Sequence, residues 1–164
     1  MEIPFKASDN LQLRNAGQDD KDFAYQVKRA AFREYVEHVW GWEEEVQRKL
    51  HDRRFGTQDF LIISLNGKDV GIMSVAVEPD CVHVNQLYVL PEHQGQGIGR
   101  ACMSMVTKWG SASSLPVILR VLKVNSRAVR FYERLGFTIA GDTDTHVLMQ
   151  KAPDSISHVT RLGD

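Results

Sequence analysis

The stretch Gln86–Arg100, QLYVLPEHQGQGIGR, decides how the rest of the chain is read. It opens on an apolar, β-prone run, Leu87, Tyr88, Val89 and Leu90. Pro91 ends that run, because it has no N–H for a ladder and biases its predecessor to extended geometry. Three glycines follow at alternate positions, Gly95, Gly97 and Gly99. Around and beyond them Ile98, Ala101, Cys102, Met105, Val106 and Trp109 recur with the spacing of one helical face. The order is therefore strand, glycine loop, helix. The loop lets backbone N–H groups approach a ligand closely, and the helix N-terminus adds roughly half a positive charge. Together they predict an anion site suited to phosphate.

Three kinds of glycine loop compete for this stretch, beside the plain reading of a glycine-rich turn before a core helix. A P-loop requires G-x-x-x-x-G-K-[ST], and no Lys-Ser or Lys-Thr follows these glycines. A dinucleotide fingerprint requires Gly or Ala three residues after its second glycine, and Arg100 stands there. The third pattern, [Arg/Gln]-x-x-Gly-x-[Gly/Ala], is filled by Gln94, Gly97 and Gly99. This loop resembles the acetyl-coenzyme A loop of the GNAT superfamily of N-acetyltransferases. A second segment, Asn125–Phe137 (NSRAVRFYERLGF), is similar to that family's N-x-x-A-x-x-F-Y-x-x-x-G-F pattern. The likeness is clear from about residue 60 to residue 149 and faint before that.

The whole-chain properties agree with a single domain over 1–164, with a peripheral lead-in over 1–10 and a tail over 152–164. This length can bury a sizeable core without disulfide or metal staples. A formal net charge of −1 argues against broad binding to nucleic acid or to an anionic membrane. No apolar run reaches the roughly 18 residues of a membrane span. No signal peptide is expected from MEIPFKASDN. Cys81 and Cys102 show neither metal spacing nor a disulfide framework, so a cytoplasmic location is the expectation. Cys102 lies on the apolar helix face and reads as a buried, inert thiol.

In order, the chain predicts a short strand at 11–14 and a helix whose buried stripe is Phe23, Ala24, Val27, Ala30, Ala31 and Tyr35. Gly41 breaks it, and a second helix covers Glu43–Leu50. Phe60–Leu65 is a buried strand, Asn66-Gly67 a type I′ hairpin turn, and Val70–Val77 the returning strand. Glu78-Pro79-Asp80 turns into the strand Cys81–Val89. After the glycine loop and its helix come a strand at Val117–Leu122, a helix capped by Asn125 or Ser126 and ended by Gly136, and strands at Thr138–Ala140 and Val147–Met149. The class is α+β. The resemblance implies a GNAT-like fold, a mostly antiparallel sheet of about six to seven strands with about four helices. The sheet splays between its fourth and fifth strands to hold the cofactor.

It further implies an acetyl-CoA-dependent N-acetyltransferase, in which a primary amine of a small molecule or peptide attacks the thioester directly. No metal is expected. The implied cofactor residues are Leu87, Tyr88 and Val89 of the strand, Gln94, Gly95, Gln96, Gly97, Ile98, Gly99 and Arg100 of the loop, and Asn125, Arg127 and Tyr132. Backbone N–H groups from Gln94 to Arg100 would hold the pyrophosphate, and a backbone N–H near Val89 would polarise the carbonyl. Two readings stay open for Arg100, an added charge on the phosphates or a solvated surface arginine. Asn125 reads equally as a helix N-cap. Tyr132 would protonate the leaving thiolate, while its place on the helix stripe also suits a core tyrosine. His83 is the candidate base, its ordinary pKa near 6.5 suiting the task. Alternation puts Asn85 and Leu87 on its face, so Asn85 is a further candidate, ordering a water or the amine.

Trp40 and Trp42, beside Glu43–Glu45, suit a cationic amine through cation–π attraction and ion pairing. They also read as two core anchors beside a solvated helix start. His38, His51, His93, His146 and His158 form no metal spacing. An alternative function is a non-catalytic module that senses acyl-CoA, but such a module would not need Tyr132. A nicotinamide-dinucleotide enzyme is disfavoured by Arg100 and the antiparallel hairpins. Homodimerisation through the late strands is an expected assembly.

Overall fold

Asn66 and Gly67 both have positive φ, 51° and 80°, the type I′ geometry whose twist suits a two-residue hairpin. That turn joins β2 (Phe60–Leu65) to β3 (Lys68–Val77), and a second turn leads to β4 (Val82–Val89). In this computed structural model, which describes residues 10–155, these three strands form the centre of a seven-stranded sheet. β1 (Leu11–Asn15) pairs with β2 at one edge. On the other side lie β5 (Val117–Leu122), β7 (His146–Lys151) and β6 (Thr138–Asp142), giving the order β1-β2-β3-β4-β5-β7-β6. Every neighbouring pair is antiparallel except β4 and β5. The lead-in and tail predicted at the termini fall largely outside the described residues.

Four helices cover the two faces. α1 (Lys21–Trp40) and α2 (Glu44–Thr57) lie on one, α3 (Ile98–Ala112) and α4 (Ser126–Arg134) on the other. Ala24 and Val27 of α1 pack on Phe60, Ile62 and Ile72. Ile98, Cys102, Met103 and Val106 of α3 pack on Met73, Val75, Val82 and Val84 of the opposite face. Each such side chain contributes about 1.5–3 kcal/mol when fully buried. Among the described residues no helix is long and apolar enough to cross a membrane.

Several elements differ from the sequence reading. α1 is turned about its axis, so its buried residues are Ala24, Tyr25, Val27, Lys28 and Val36, while Ala30 is exposed. The cause is α2, which the sequence reading ended too early. It continues to Thr57, and Tyr25 and Lys28 are covered between α2 and the sheet. Its apolar periodicity is weak, with His51 as its buried residue. The Tyr25 hydroxyl donates to Glu44 Oε1 at 2.8 Å, and the Arg48 guanidinium lies 4.0 Å from its ring centroid.

β4 carries a bulge that the alternation argument missed. Ser74 pairs with Gln86 and Val75 with Val84, which leaves Asn85 as the extra residue. An extra residue reverses the alternation beyond it. Val84 and Leu87 therefore share the α3 face, and His83 shares the α1 face with Gln86 and Tyr88. The predicted pairing of His83 with Asn85 and Leu87 is corrected accordingly.

Gly71 holds β3 close to β4 at this end of the sheet. A Cβ there would stand 2.6 Å from the Tyr88 carbonyl oxygen and 3.3 Å from Val89 Cα. A glycine inside a strand pattern signals such an approach.

Candidate active site

The parallel pairing of β4 with β5 is short. Val82 pairs with Val117, His83 with Ile118 and Val84 with Leu119, and there it stops. β4 runs on to Val89 while β5 runs on to Leu122 against β7 alone. The two strands thus part at the bulge. The Leu90 N–H donates to Val70 O on β3 at 2.8 Å. Backbone groups of successive strand residues point to opposite sides. Val89 accordingly turns its N–H and C=O towards the split. Its carbonyl accepts from Gln94 Nε2 at 2.9 Å, and Gln94 Oε1 accepts from Arg127 Nη1 at 3.2 Å. Gln94 and Arg127 together tie the end of β4 to the start of α4.

The glycine loop crosses from β4 to α3. The Gln94 N–H donates to Pro91 O at 3.2 Å, so it is spent on the turn and the run of free donors begins later than the sequence predicts. Gly95 and Gly97 have φ of 76° and 80°. Gly97 is the N-cap of α3, and a Cβ there would meet open space, so the requirement is for its left-handed backbone. The first intrahelical bond runs from Ala101 N to Gly97 O at 3.0 Å. The N–H groups of Ile98, Gly99 and Arg100 have no acceptor within the helix, and they carry the positive end of its dipole. A Cβ on Gly99 would sit 3.3 Å from Phe131 Cζ, so this glycine also lets α3 lie against α4. Gln96 and the Arg100 side chain are exposed. Cys102 is buried on α3, and burial pushes its thiol up to about 12.

α4 delivers Tyr132. Asn125 caps the helix, its Oδ1 accepting from Ala128 N at 3.1 Å. Tyr132 packs edge-on to Phe131 and Phe137, with ring centroids 5.0 and 5.6 Å away. It is 9% exposed and belongs to the same core cluster as Val84 and Leu119, the residues at which β4 and β5 part. Burial raises its phenol well above the ordinary tyrosine range. Tyr88 is raised likewise, first by burial and next by Tyr132, so the two phenols share one neighbourhood.

α1 spans the other mouth of the split. Phe32 lies 5.0 Å from the Tyr88 ring on β4, and Trp40 lies 6.2 Å from the His146 ring on β7. Those eight residues advance about 12 Å along the helix. Trp40 is 59% exposed, which removes the core-anchor reading for it. Trp42 is half-buried and engaged: its indole N–H donates to Glu44 Oε2 at 2.7 Å, and Arg33 lies 5.8 Å from its ring. Glu44 is held below the usual carboxylate range, first by Trp42 and then by Tyr25. His83 and Asn85 are half-buried at the root of the split. Among the described residues Glu78, Asp80 and Cys81 bring ligating atoms within 4.8 Å of one another. They sit at the start of β4, about 26 Å of strand away from the glycine loop. Cys81 donates to Glu78 Oε2, and burial pushes its thiol up to about 11.

Comparison with known proteins now bears on this geometry. The family model of the GNAT acetyltransferases matches residues 22–137. The chain belongs to the GNAT acetyltransferase family. This GNAT chain is 33% identical over 125 residues to a mycothiol acetyltransferase of Streptomyces griseus, covering 74% of itself but 40% of that protein. It is 25% identical over 147 residues to a spermidine N(1)-acetyltransferase of Escherichia coli, covering 81% of itself and 75% of that protein. Among solved structures, the PaiA N-acetyltransferase of Thermoplasma acidophilum in complex with coenzyme A has the same fold. Its TM-score is 0.72 at 16% identity, covering 87% of this chain and 98% of that one. The ribosomal-protein-S18-alanine N-acetyltransferase of Escherichia coli gives 0.65 at 20% identity, covering 91% and 97%.

Sequence reasoning singled out the loop and Tyr132 and passed over Gly71, Gln86 and Lys28. Gly71 had a signal, a glycine inside a strand. Lys28 had one too, since it lies four residues after the buried Ala24.

Proposed function

We propose that this GNAT chain transfers an acetyl group from acetyl-CoA to a primary amine, in a small molecule or a peptide, by direct attack in a ternary complex. The observation that carries this reading is the β4–β5 split, with free helix N–H donors at one mouth and the aromatic rim of α1 at the other. The coenzyme A complex of the Thermoplasma protein supports the ligand, and the named spermidine and peptide enzymes support the acceptor class.

In this reading the N–H groups from Gly95 to Arg100 hold the pyrophosphate, with Gln96 beside them and Arg100 adding charge. Leu87, Tyr88 and Val89 flank the pantetheine arm on one side, with Asn125 and Arg127 on the other. The Val89 N–H donates to the thioester carbonyl. His83, well down the strand from Val89, takes a proton from the acceptor ammonium through bound water. The freed amine attacks the carbonyl carbon, the C–N bond forms and the C–S bond breaks. Tyr132 gives its proton to the thiolate sulfur, and the second proton lost by the new amide nitrogen restores the phenol. Asn85, unpaired where the split opens, orders the incoming amine or a water. Trp40 shapes the acceptor mouth with His146, and Trp42 fixes the corner behind it. The steps balance without a metal.

An amine screen tests this. Spermidine, an alanine-initiated peptide and their N-acetylated forms are each incubated with acetyl-CoA while free thiol is measured. Thiol release with a free amine and none with its acetylated form is the expected result. Coenzyme A binding without thiol release from a broad panel of primary amines would overturn catalysis in favour of an acyl-CoA sensor.

A further inference from the structure

The buried polar side chains among the described residues are Lys28, His51, Ser74 and Gln86. All four lie on the α1–α2 side of the sheet. Gln86 and Ser74 are cross-strand partners, and Ser74 also pairs with Phe60. The His51 ring lies 6.0 Å from Phe60 and 5.5 Å from Tyr25. Lys28 stands one turn before Phe32, which covers Tyr88, and one turn after Ala24, which packs with Phe60 and Ile72. That places it over the Ser74–Gln86–Tyr88 patch.

Three atoms in this cluster, Ser74 Oγ, Gln86 Oε1 and His51 Nδ1, are buried without a hydrogen-bond partner. His51 Nε2 donates to Lys21 O at 3.0 Å, which leaves Nδ1 as an acceptor. Gln86 Nε2 reaches Gln58 Oε1 at 3.4 Å. None of the ion pairs among the described residues involves Lys28. An amine outside every ion pair and three orphaned polar atoms, all on one side of the sheet, leave hydrogen-bonding capacity that bridging water can fill. An orphaned buried atom is costly if nothing fills the gap.

We propose that Lys28, Ser74, Gln86 and His51 form a buried, water-holding relay that accepts the acceptor's proton, with the Lys28 amine as its inner terminus. The inference rests on the transferase reading above. The bulge sets His83, Gln86 and Tyr88 on the α1 face of β4, with His83 still paired to β5 and Gln86 and Tyr88 beyond the point where the strands part. Acetylation of an ammonium releases one proton for each amide and thiol formed. That proton passes from the amine, through His83 or a bound water, to the neutral Lys28 Nζ, and from there to solvent. Tyr132 serves the thiolate from the other side, so the two protons never compete for one group.

The titratable groups coupled to Lys28 are Arg54 and His51, both from α2. Burial first, then Arg54, pulls the Lys28 ammonium down to about 8. His51 is lowered by burial, with Lys28 a further cause. Below pH 8 Lys28 is charged and cannot accept; above it the amine is free. Turnover limited by the relay therefore rises with pH through about 8. The same shift makes the folded protein shed a proton between pH 8 and 10.5, so its stability rises over that window.

Two measurements decide the matter. Lysine Cε-labelled protein is titrated by NMR, with Lys28→Arg giving the assignment; a midpoint near 8 is expected, and one above 10 overturns the proposal. The pH profile of kcat is then taken for wild type, Lys28→Met and Lys28→Arg, with saturating acetyl-CoA and spermidine or the alanine-initiated peptide. Both variants are expected to lose about 10²-fold at pH 8.5 and to lose the limb near 8, while coenzyme A affinity stays within threefold. Turnover with an unchanged limb in Lys28→Met would sink the relay and leave the transferase standing. Loss of coenzyme A binding by wild type would sink both.

Discussion

Tyr132→Phe lowers kcat by about 10²–10⁴, the reach of a positioned general acid. The ring's surroundings make this a clean test. Phe131 and Phe137 meet Tyr132 edge-on, and a phenylalanine keeps both contacts. The hydroxyl alone is lost, so the fold and coenzyme A affinity are expected to hold, with stability changed by about 1 kcal/mol. Burial keeps the phenol protonated throughout the neutral range, so the proposed donor is present there. The sign is plain: a raised phenol pKa moves any alkaline loss of this donor to higher pH. Steady-state kinetics beside a denaturant titration reads the effect. A folded Tyr132→Phe with unchanged kcat would take the leaving-group role from this residue.

The second large effect belongs to a backbone atom. Val89→Pro is expected to lower kcat by about 10²–10³, the usual cost of one lost oxyanion donor. Proline inside a sheet ordinarily breaks a ladder bond. Here the ladder bond to β3 comes from Leu90, which donates to Val70 O. The Val89 N–H faces the split, where pairing with β5 has already ended at Val84 and Leu119. The substitution thus removes the proposed carbonyl donor and spares the sheet. Coenzyme A affinity within a few-fold of wild type, with kcat reduced, is the expected pattern. Unchanged kcat with intact binding would show that the carbonyl is polarised from elsewhere.

Much of this arrangement could be read from the chain. The glycine loop, the Asn66-Gly67 hairpin and the Asn125 cap are local devices, each fixed by a few side chains or by a required positive φ. Their positions and neighbours follow the prediction closely. What escaped the sequence depends on contacts made at a distance. A single bulge at Asn85 turned His83 to the opposite face, and nothing in VHVNQLYV announces which residue is extra. Likewise α2 runs past Leu50 because His51 and Phe55 meet Phe60 on β2, a contact without local periodicity. Trp40 and Trp42 look alike in sequence. One caps the open mouth beside His146, while the other spends its N–H on Glu44.

The site residues divide in the same way. Gly97 was legible as a backbone requirement and Tyr132 through its segment. Gln94 was read as a cofactor contact, yet its side chain spans Val89 O and Arg127 and so shapes the split itself. Lys28 was passed over because a lysine ordinarily reads as surface, although its spacing from Ala24 put it on the buried stripe.

The central claim is that the β4–β5 split and its glycine loop bind acetyl-CoA. Calorimetric titration of the purified protein with acetyl-CoA, with coenzyme A and with NAD tests it most directly. Micromolar binding of both coenzyme A species and no heat from NAD is the predicted result. A folded sample that binds neither coenzyme A nor acetyl-CoA would contradict the account, and the glycines would then serve only as a turn before a core helix.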